Sequence, residues 1–352
     1  MKNFSSIVTA GLLLIAGIGS AALVGCSPAM DQQRAAEEPD PVVVLKASYD
    51  RPTEIPFPED NPFTEAKAKL GQSLYFDPRL SRSNMQSCAS CHNPSFAWGD
   101  GLPKGVGDHM NELGRRSPTI LNAAWSEALM WDGRFDTLEE QALGPIEAGV
   151  EMNMPLDDLI AKLSKLQGYR DLFAAAFDGN QDITADKIAM AIATYERTVV
   201  SGEAPFDRWI KGDRAAISAS AERGFHLFND KARCSTCHSG WRFTDDSFHD
   251  IGLADDDVGR GEHLPAITSM QHAFKTPGLR NIDQRGPYMH DGSLATLRAV
   301  VNHYDRGGLK RPSLSEDMQP LGLTEREKRD LVAFMETLTS EDAPVTFVQL
   351  PR

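Results

Sequence analysis

The sequence predicts a mainly α protein built of two similar halves behind a leader and a tether. Three observations predict it. A five-residue device, Cys88-x-x-Cys91-His92, returns as Cys234-x-x-Cys237-His238. Each copy follows a helical pattern of the same make. Leu70-Gly71-Gln72-Ser73-Leu74-Tyr75-Phe76 precedes the first and Arg223-Gly224-Phe225-His226-Leu227-Phe228 the second, both placing a Leu-aromatic pair shortly after a Gly. Strand-like alternation is sparse, and Gly and Pro total 49, so long loops must join the helices.

The elements follow in chain order. Residues 1–26 read as a signal peptide. Lys2 gives a short basic start, and Ile7 to Leu23 is an apolar run too short to span a membrane. Leu23-Val24-Gly25-Cys26 resembles the lipobox of bacterial lipoproteins, in which the Cys is acylated and becomes the mature N-terminus; a plain signal peptide with an incidental Cys is the alternative. Residues 27–53 contain Pro, Ala and acidic residues without helical period, the pattern of a flexible tether. An N-terminal domain is expected over 54–200 and a C-terminal domain over 201–352. Ala221, Gly224, Phe225 and Phe228 share one helical face, as do Ile188, Ala191, Ile192, Tyr195 and Val199 near the junction. Thr324 with Glu327 forms a capping box ahead of Leu331, Phe334, Met335 and Leu338. A helix before the C-x-x-C-H loop and another at the chain end is how cytochrome c domains clamp a haem.

The five cysteines support this assignment. Cys26 is taken by the lipobox, and the other four form the two pairs, leaving none for a structural disulfide. In C-x-x-C-H the thiols of Cys88 and Cys91, or of Cys234 and Cys237, add to the vinyl groups of one haem. The adjoining His92 or His238 supplies an iron ligand. A thioredoxin-like pair would need a βαβ context, and a zinc site gives the histidines no role. Two c-type haems, attached after export, are therefore expected. The formal net charge of −14 argues against nucleic acid. It suits a basic soluble partner, or serves solubility alone.

The body resembles the di-haem cytochrome c peroxidase/MauG family through "LGQSLYFDPRLS", "RRSPTILNAA", "MWDGR", "GPIEAGVEMNMP", "ATYERTVVSG", "FKTPGLRN" and "GPYMHDGSLATL", in the family's order. The resemblance implies that peroxide reacts at the N-terminal haem, on His92. It implies that Trp131 relays electrons between the haems and that Glu151 is the distal acid-base residue. Gln141 and Pro145 match other distal-pocket positions. An indole can bridge a gap too long for direct tunnelling, and one carboxylate in a partly dry pocket can move the proton that O–O cleavage requires.

Three positions depart from the peroxidases. Asp108 stands where they carry a loop His that ligates the resting N-terminal iron. His109, one step off, either reaches that iron or sits on a solvated loop. Fourteen residues after His290, where the peroxidases place a Met on the C-terminal iron, stands Tyr304. It either ligates, as in MauG, or packs beside the haem; a phenolate stabilises ferric iron relative to a thioether. The family often holds one calcium ion between the domains. Arg116 and Arg285 occupy its side-chain ligand positions, so calcium is not expected here.

The family resemblance thus implies a di-haem peroxidase, and the leader and lipobox add the expectation of a periplasmic protein held by a lipid on Cys26 to a membrane, the outer one preferred. It would reduce hydrogen peroxide to water with electrons from a small cytochrome c or cupredoxin. The alternative is a MauG-like enzyme that oxidises residues of a partner protein. A non-catalytic electron-transfer lipoprotein is the reading from another class, which Glu151, Gln141 and Trp131 together disfavour.

Overall fold

A computed structural model describes residues 41–352, apart from 343 and 347. The lipobox Cys26 and the signal segment lie outside the described residues. Eleven α-helices appear among the described residues: α1 (Pro41–Ala47), α2 (Glu65–Tyr75), α3 (Cys88–Cys91), α4 (Leu138–Glu147), α5 (Leu156–Leu163), α6 (Gln167–Ala176), α7 (Ala185–Arg197), α8 (Pro205–Ile210), α9 (Ala219–Asn229), α10 (Leu297–Arg306) and α11 (Glu325–Glu336). The only regular strands among these residues, β1 (Phe248–His249) and β2 (Phe274–Lys275), pair antiparallel. The class is mainly α, as expected.

Each half is organised by one close helix crossing. In the first half α2 crosses α7, where a Cβ on Gly71 would lie 1.8 Å from the Ala191 carbonyl oxygen. In the second half α9 crosses α11, where a Cβ on Gly224 would lie 2.0 Å from the Asp330 carbonyl oxygen. Glycine lets two backbones approach within reach of one another; any side chain would wedge them apart. Leu70, Leu74, Ile146, Leu159, Phe173, Ile188 and Ile192 fill the core of the first half. Phe206, Trp209, Phe225, Phe228, Phe243 and Phe334 fill that of the second, as a chain of mostly edge-on rings. Burying each such ring contributes about 1.5–3 kcal/mol. The Thr324 capping box opens α11 as expected, with Glu327 bonded back to the Thr324 N–H.

The tether expected over 27–53 does not extend to Thr53. From Pro41 the chain is helical, and Tyr49 is 1% exposed, wedged against Phe206, Phe225 and Phe243 with its hydroxyl donating to Asn229 Oδ1 at 2.7 Å. Arg51 donates to the carbonyls of Ser201 and Gly202. A single aromatic residue anchors this strap, so no period announces it in the sequence. The C-terminal tail crosses the other way: Gly168 N–H donates to the Arg352 carbonyl at 2.8 Å and Arg79 Nη2 to that of Pro351 at 2.9 Å. The first described segment and the C-terminal tail therefore each pack on the opposite half.

Candidate functional site

The two C-x-x-C-H segments present their histidines alike. In α3, Ser87 and Ser90 form a capping box that winds the single turn, and His92 N–H closes it on the Cys88 carbonyl at 2.9 Å. His238 N–H does the same on the Cys234 carbonyl at 2.8 Å. His92 Nδ1 lies 2.8 Å from the Pro118 carbonyl and His238 Nδ1 lies 2.8 Å from the Phe243 carbonyl. A carbonyl can only accept, so each Nδ1 carries the proton and each Nε2 is left with a lone pair for a metal. Burial pushes the Cys91 thiol up to about 11 and the Cys234 thiol up to about 12. Neither sits in the electropositive setting that makes a reactive thiolate.

Both histidines open onto one continuous cavity of about 570 Å³ that runs through both halves. Its wall includes Cys91, Cys234 and Cys237, a broad apolar lining, and eight Arg or Lys side chains against four Asp or Glu. Six of these cations are ion-paired with carboxylates, and among the described residues Arg116 and Arg285 are not. Paired thiols, a free imidazole nitrogen and cations around an apolar slot suit a flat apolar group bearing carboxylates, and haem is such a group.

The walls opposite the two histidines are built from one repeated segment. Met130-Trp131-Asp132-Gly133 and Met289-His290-Asp291-Gly292 make the same turn: Met130 and Met289 have φ of 70° and 74°, and both glycines have φ of 66°. The turns are closed by the bridges Leu129–Phe135 and Tyr288–Leu294. Each leads to a threonine cap, Thr137 for α4 and Thr296 for α10. Upstream, Asn122 and Asn281 correspond, each in the left-handed region and accepting from Ser201 N–H or Ser340 N–H at 3.0 Å. In this register Trp131 corresponds to His290 and Pro145 to Tyr304. All four line the cavity.

On the His92 side, α4 presents Gln141 and Pro145, and the loop after it presents Glu151. Proline at 145 leaves no N–H for the carbonyl four residues earlier and no atom that can ligate a metal. Burial raises the Glu151 carboxyl above its usual range, opposed by the Arg134 charge. Gly107 packs under this loop; a Cβ there would lie 1.8 Å from the Val150 carbonyl oxygen. That contact fixes the orientation of the next two residues. Asp108 is buried and accepts from Asn153 Nδ2 at 2.9 Å. His109, expected as a possible iron ligand, instead points to solvent with its side chain 83% exposed. On the His238 side, α10 carries Tyr304 into the cavity, where burial pushes its phenol well above the ordinary value. Met318 also lines the cavity.

Trp131 sits where the halves meet. Its Nε1 donates to the Arg116 carbonyl at 2.8 Å, and its own carbonyl accepts from Lys275 N–H at 2.8 Å. Its indole meets the edge of His290 at 6.3 Å, and His290 stacks on Phe274 at 3.5 Å. Asp132 fastens this turn through Arg115 at 2.5 Å and Arg134 at 2.9 Å, and Arg115 continues to Asp257 at 2.6 Å.

Arg116 and Arg285 lie side by side, with Arg116 Nη2 donating to the Arg285 carbonyl at 2.6 Å. Burial and the neighbouring Arg116 charge pull Arg285 down to about 9. Two buried cations do not fit a calcium site, which needs six to eight oxygens. Sequence reasoning missed Glu196, 4% exposed beside the His92 end, whose carboxyl burial raises to about 8. It also missed the Trp131/His290 correspondence, although "MWDG" and "MHDG" were there to be matched.

Comparison with known proteins adds to this geometry. The family model for di-haem cytochrome c peroxidase matches residues 65–215, and that for cytochrome c matches residues 221–339. Methylamine utilization protein MauG of Methylorubrum extorquens is 52% identical over 98% of both chains. Cytochrome c551 peroxidase of Pseudomonas aeruginosa is 32% identical, over 88% of this chain and 92% of its own. Among solved structures, a MauG-like protein associated with microbial copper homeostasis superimposes with a TM-score of 0.77 at 32% identity, covering 83% of this chain and 95% of that one.

Proposed function

The chain belongs to the di-haem cytochrome c peroxidase/MauG family of peroxide-using haem oxidoreductases, and we propose that within it the chain uses peroxide to oxidise side chains of a partner protein. This replaces, as the preferred reading, the conventional peroxidase served by a small redox protein. The observation that carries it is the Pro145/Tyr304 correspondence. The same helix position faces each haem site, and it offers nothing at the first and a phenol at the second. The relatives at 52% identity that carry the name MauG favour the same reading.

Cys88, Cys91 and His92 would hold one haem, and Cys234, Cys237 and His238 the other; when bound, the pair supplies irons that exchange single electrons and a site where peroxide reacts. Glu151 takes a proton from the inner peroxide oxygen and returns it to the outer one, its raised pKa suiting it to both acts. The Gln141 amide orients peroxide or a pocket water, and Pro145 shapes the wall. Trp131, clamped by Arg116 and Lys275, carries electrons between the halves. Tyr304 would offer its phenol oxygen to the iron of the second haem, and as a phenolate would favour the ferric state. Export to the periplasm, with acylation at Cys26, completes the proposal.

Donor choice tests it. With the di-haem protein and excess peroxide, reduced small cytochromes c and cupredoxins should be oxidised little faster than by peroxide alone. A periplasmic extract treated likewise should yield one protein whose Trp or Tyr oxidation, seen by mass spectrometry, requires both enzyme and peroxide. Rapid oxidation of the small donors would return the conventional peroxidase reading.

A further inference from the structure

We propose that Arg116 and Arg285 form a carboxylate-binding pair between the two haem sites, taking haem propionates, so that the divalent cation implied by the family resemblance has no place here. The proposal rests on the reading that haems fill the cavity. Four arginines are buried among the described residues: Arg116 (7% exposed), Arg197 (7%), Arg280 (2%) and Arg285 (5%). Two have carboxylate partners. Arg197 meets Glu139 at 2.6 Å, and Arg280 meets Asp207 at 2.8 Å. Arg116 and Arg285 make no ion pair among these residues, and the Nε of each is buried without a hydrogen-bond partner.

The contrast with the adjoining residue is informative. Arg115 is held between Asp132 and Asp257, so the protein had carboxylates within one residue of Arg116 and spent them elsewhere. An unpaired buried charge is among the costliest features a fold can carry, and two side by side repel one another. Their donors to protein are used on carbonyls, Arg116 on that of Arg285 and Arg285 on that of Gly278. These bonds orient the guanidinium groups without neutralising them; the Asp100 carboxylate acts on Arg116 only from beyond ion-pair distance, and among the described residues Arg285 has no carboxylate acting on it. Both groups line the cavity, where an occupant's carboxylates would meet them. Planar guanidinium donors match carboxylates in a bidentate manner, and haem brings carboxylates on its edge. A calcium ion at this point would add positive charge where two positive charges are already unpaired.

Arg116 also ties this pair to electron transfer. Its carbonyl holds Trp131 Nε1, and its N–H donates to the His290 carbonyl at 2.7 Å. The pair is thus a positioning element for the bridge between the halves.

The test uses the full-length di-haem protein, with haem content first confirmed as two per chain. Elemental analysis should find calcium well below one per chain, and neither exhaustive EGTA treatment nor added calcium should shift the haem spectrum or either midpoint potential. Arg116→Gln and Arg285→Gln should shift the propionate bending bands in resonance Raman and lower at least one midpoint potential, because removing a cation beside the haem disfavours the extra electron. Arg285→Lys should keep most of the potential but still shift the bands, and it carries the test if the Gln variants fail to fold. One tightly held calcium per chain with a chelator-sensitive spectrum would overturn the proposal, as would Gln variants with wild-type bands and potentials. A wild-type protein without two haems would instead overturn the reading on which this one rests.

Discussion

The two halves of the molecule use the same parts in the same register and differ where the parts face the cavity. Each has a glycine-mediated helix crossing, a C-x-x-C-H turn with its histidine Nδ1 held by a backbone carbonyl, a left-handed Asn, a Met-x-Asp-Gly turn and a threonine-capped helix. The first half puts an indole at the turn and a proline on the helix; the second puts an imidazole and a phenol. The shared parts build a place for a haem. The two exchanged positions are where the halves differ toward the cavity, a proline in the first and a phenol in the second.

The largest expected effect comes from removing one attachment. Cys234→Ala with Cys237→Ala should leave one covalent haem per chain by pyridine haemochrome; two remaining haems would mean that the halves do not hold them separately. Next is Glu151, the proposed acid-base residue. Glu151→Gln should slow peroxide cleavage by roughly 10²–10⁴-fold while leaving peroxide binding in place. In that role wild type would need the base form, and burial raises its pKa. The rate should therefore fall on the acid side at a pH above the ordinary carboxylate range, and that acid limb should vanish in the Gln variant. A rate unchanged in Glu151→Gln would mean the distal residue lies elsewhere.

The helix crossings provide a smaller and symmetrical test. Gly71→Ala and Gly224→Ala each force a Cβ into a facing carbonyl, and overpacking of this kind typically costs about 1–3 kcal/mol. Denaturant unfolding should show both variants destabilised; a neutral result in one half would show that its crossing can relax. The smallest effect belongs to His109. Its side chain is in solvent, so His109→Ala should leave the haem spectrum and the peroxide reaction within about twofold of wild type. A large change would show that this loop closes on the iron.

Much of this was legible because it is local. C-x-x-C-H is a contiguous device, the capping box at Thr324 is a four-residue pattern, and Gly71 and Gly224 stand in helical stripes. What escaped depends on contacts between distant residues. Pro118 and Phe243 act on the histidines through their carbonyls, which no side-chain pattern reveals. Tyr49 enters the second core across more than 150 residues, so the strap read as tether. The sequence put Asp108 at the loop-His position and left open whether His109, one step off, reaches inward; with Gly107 packed against Val150, Asp108 is buried and His109 lies in solvent.

The most direct measurement is rapid mixing of the fully oxidised di-haem protein with hydrogen peroxide, followed in the haem band. If the first site is open and the second is held by His238 and Tyr304, the band should change at once without added reductant. Tyr304→Met should alter that change, while Met318→Leu should not. Absence of any reaction until one electron is supplied would contradict the account, because it would mean that the oxidised first site is closed by a ligand.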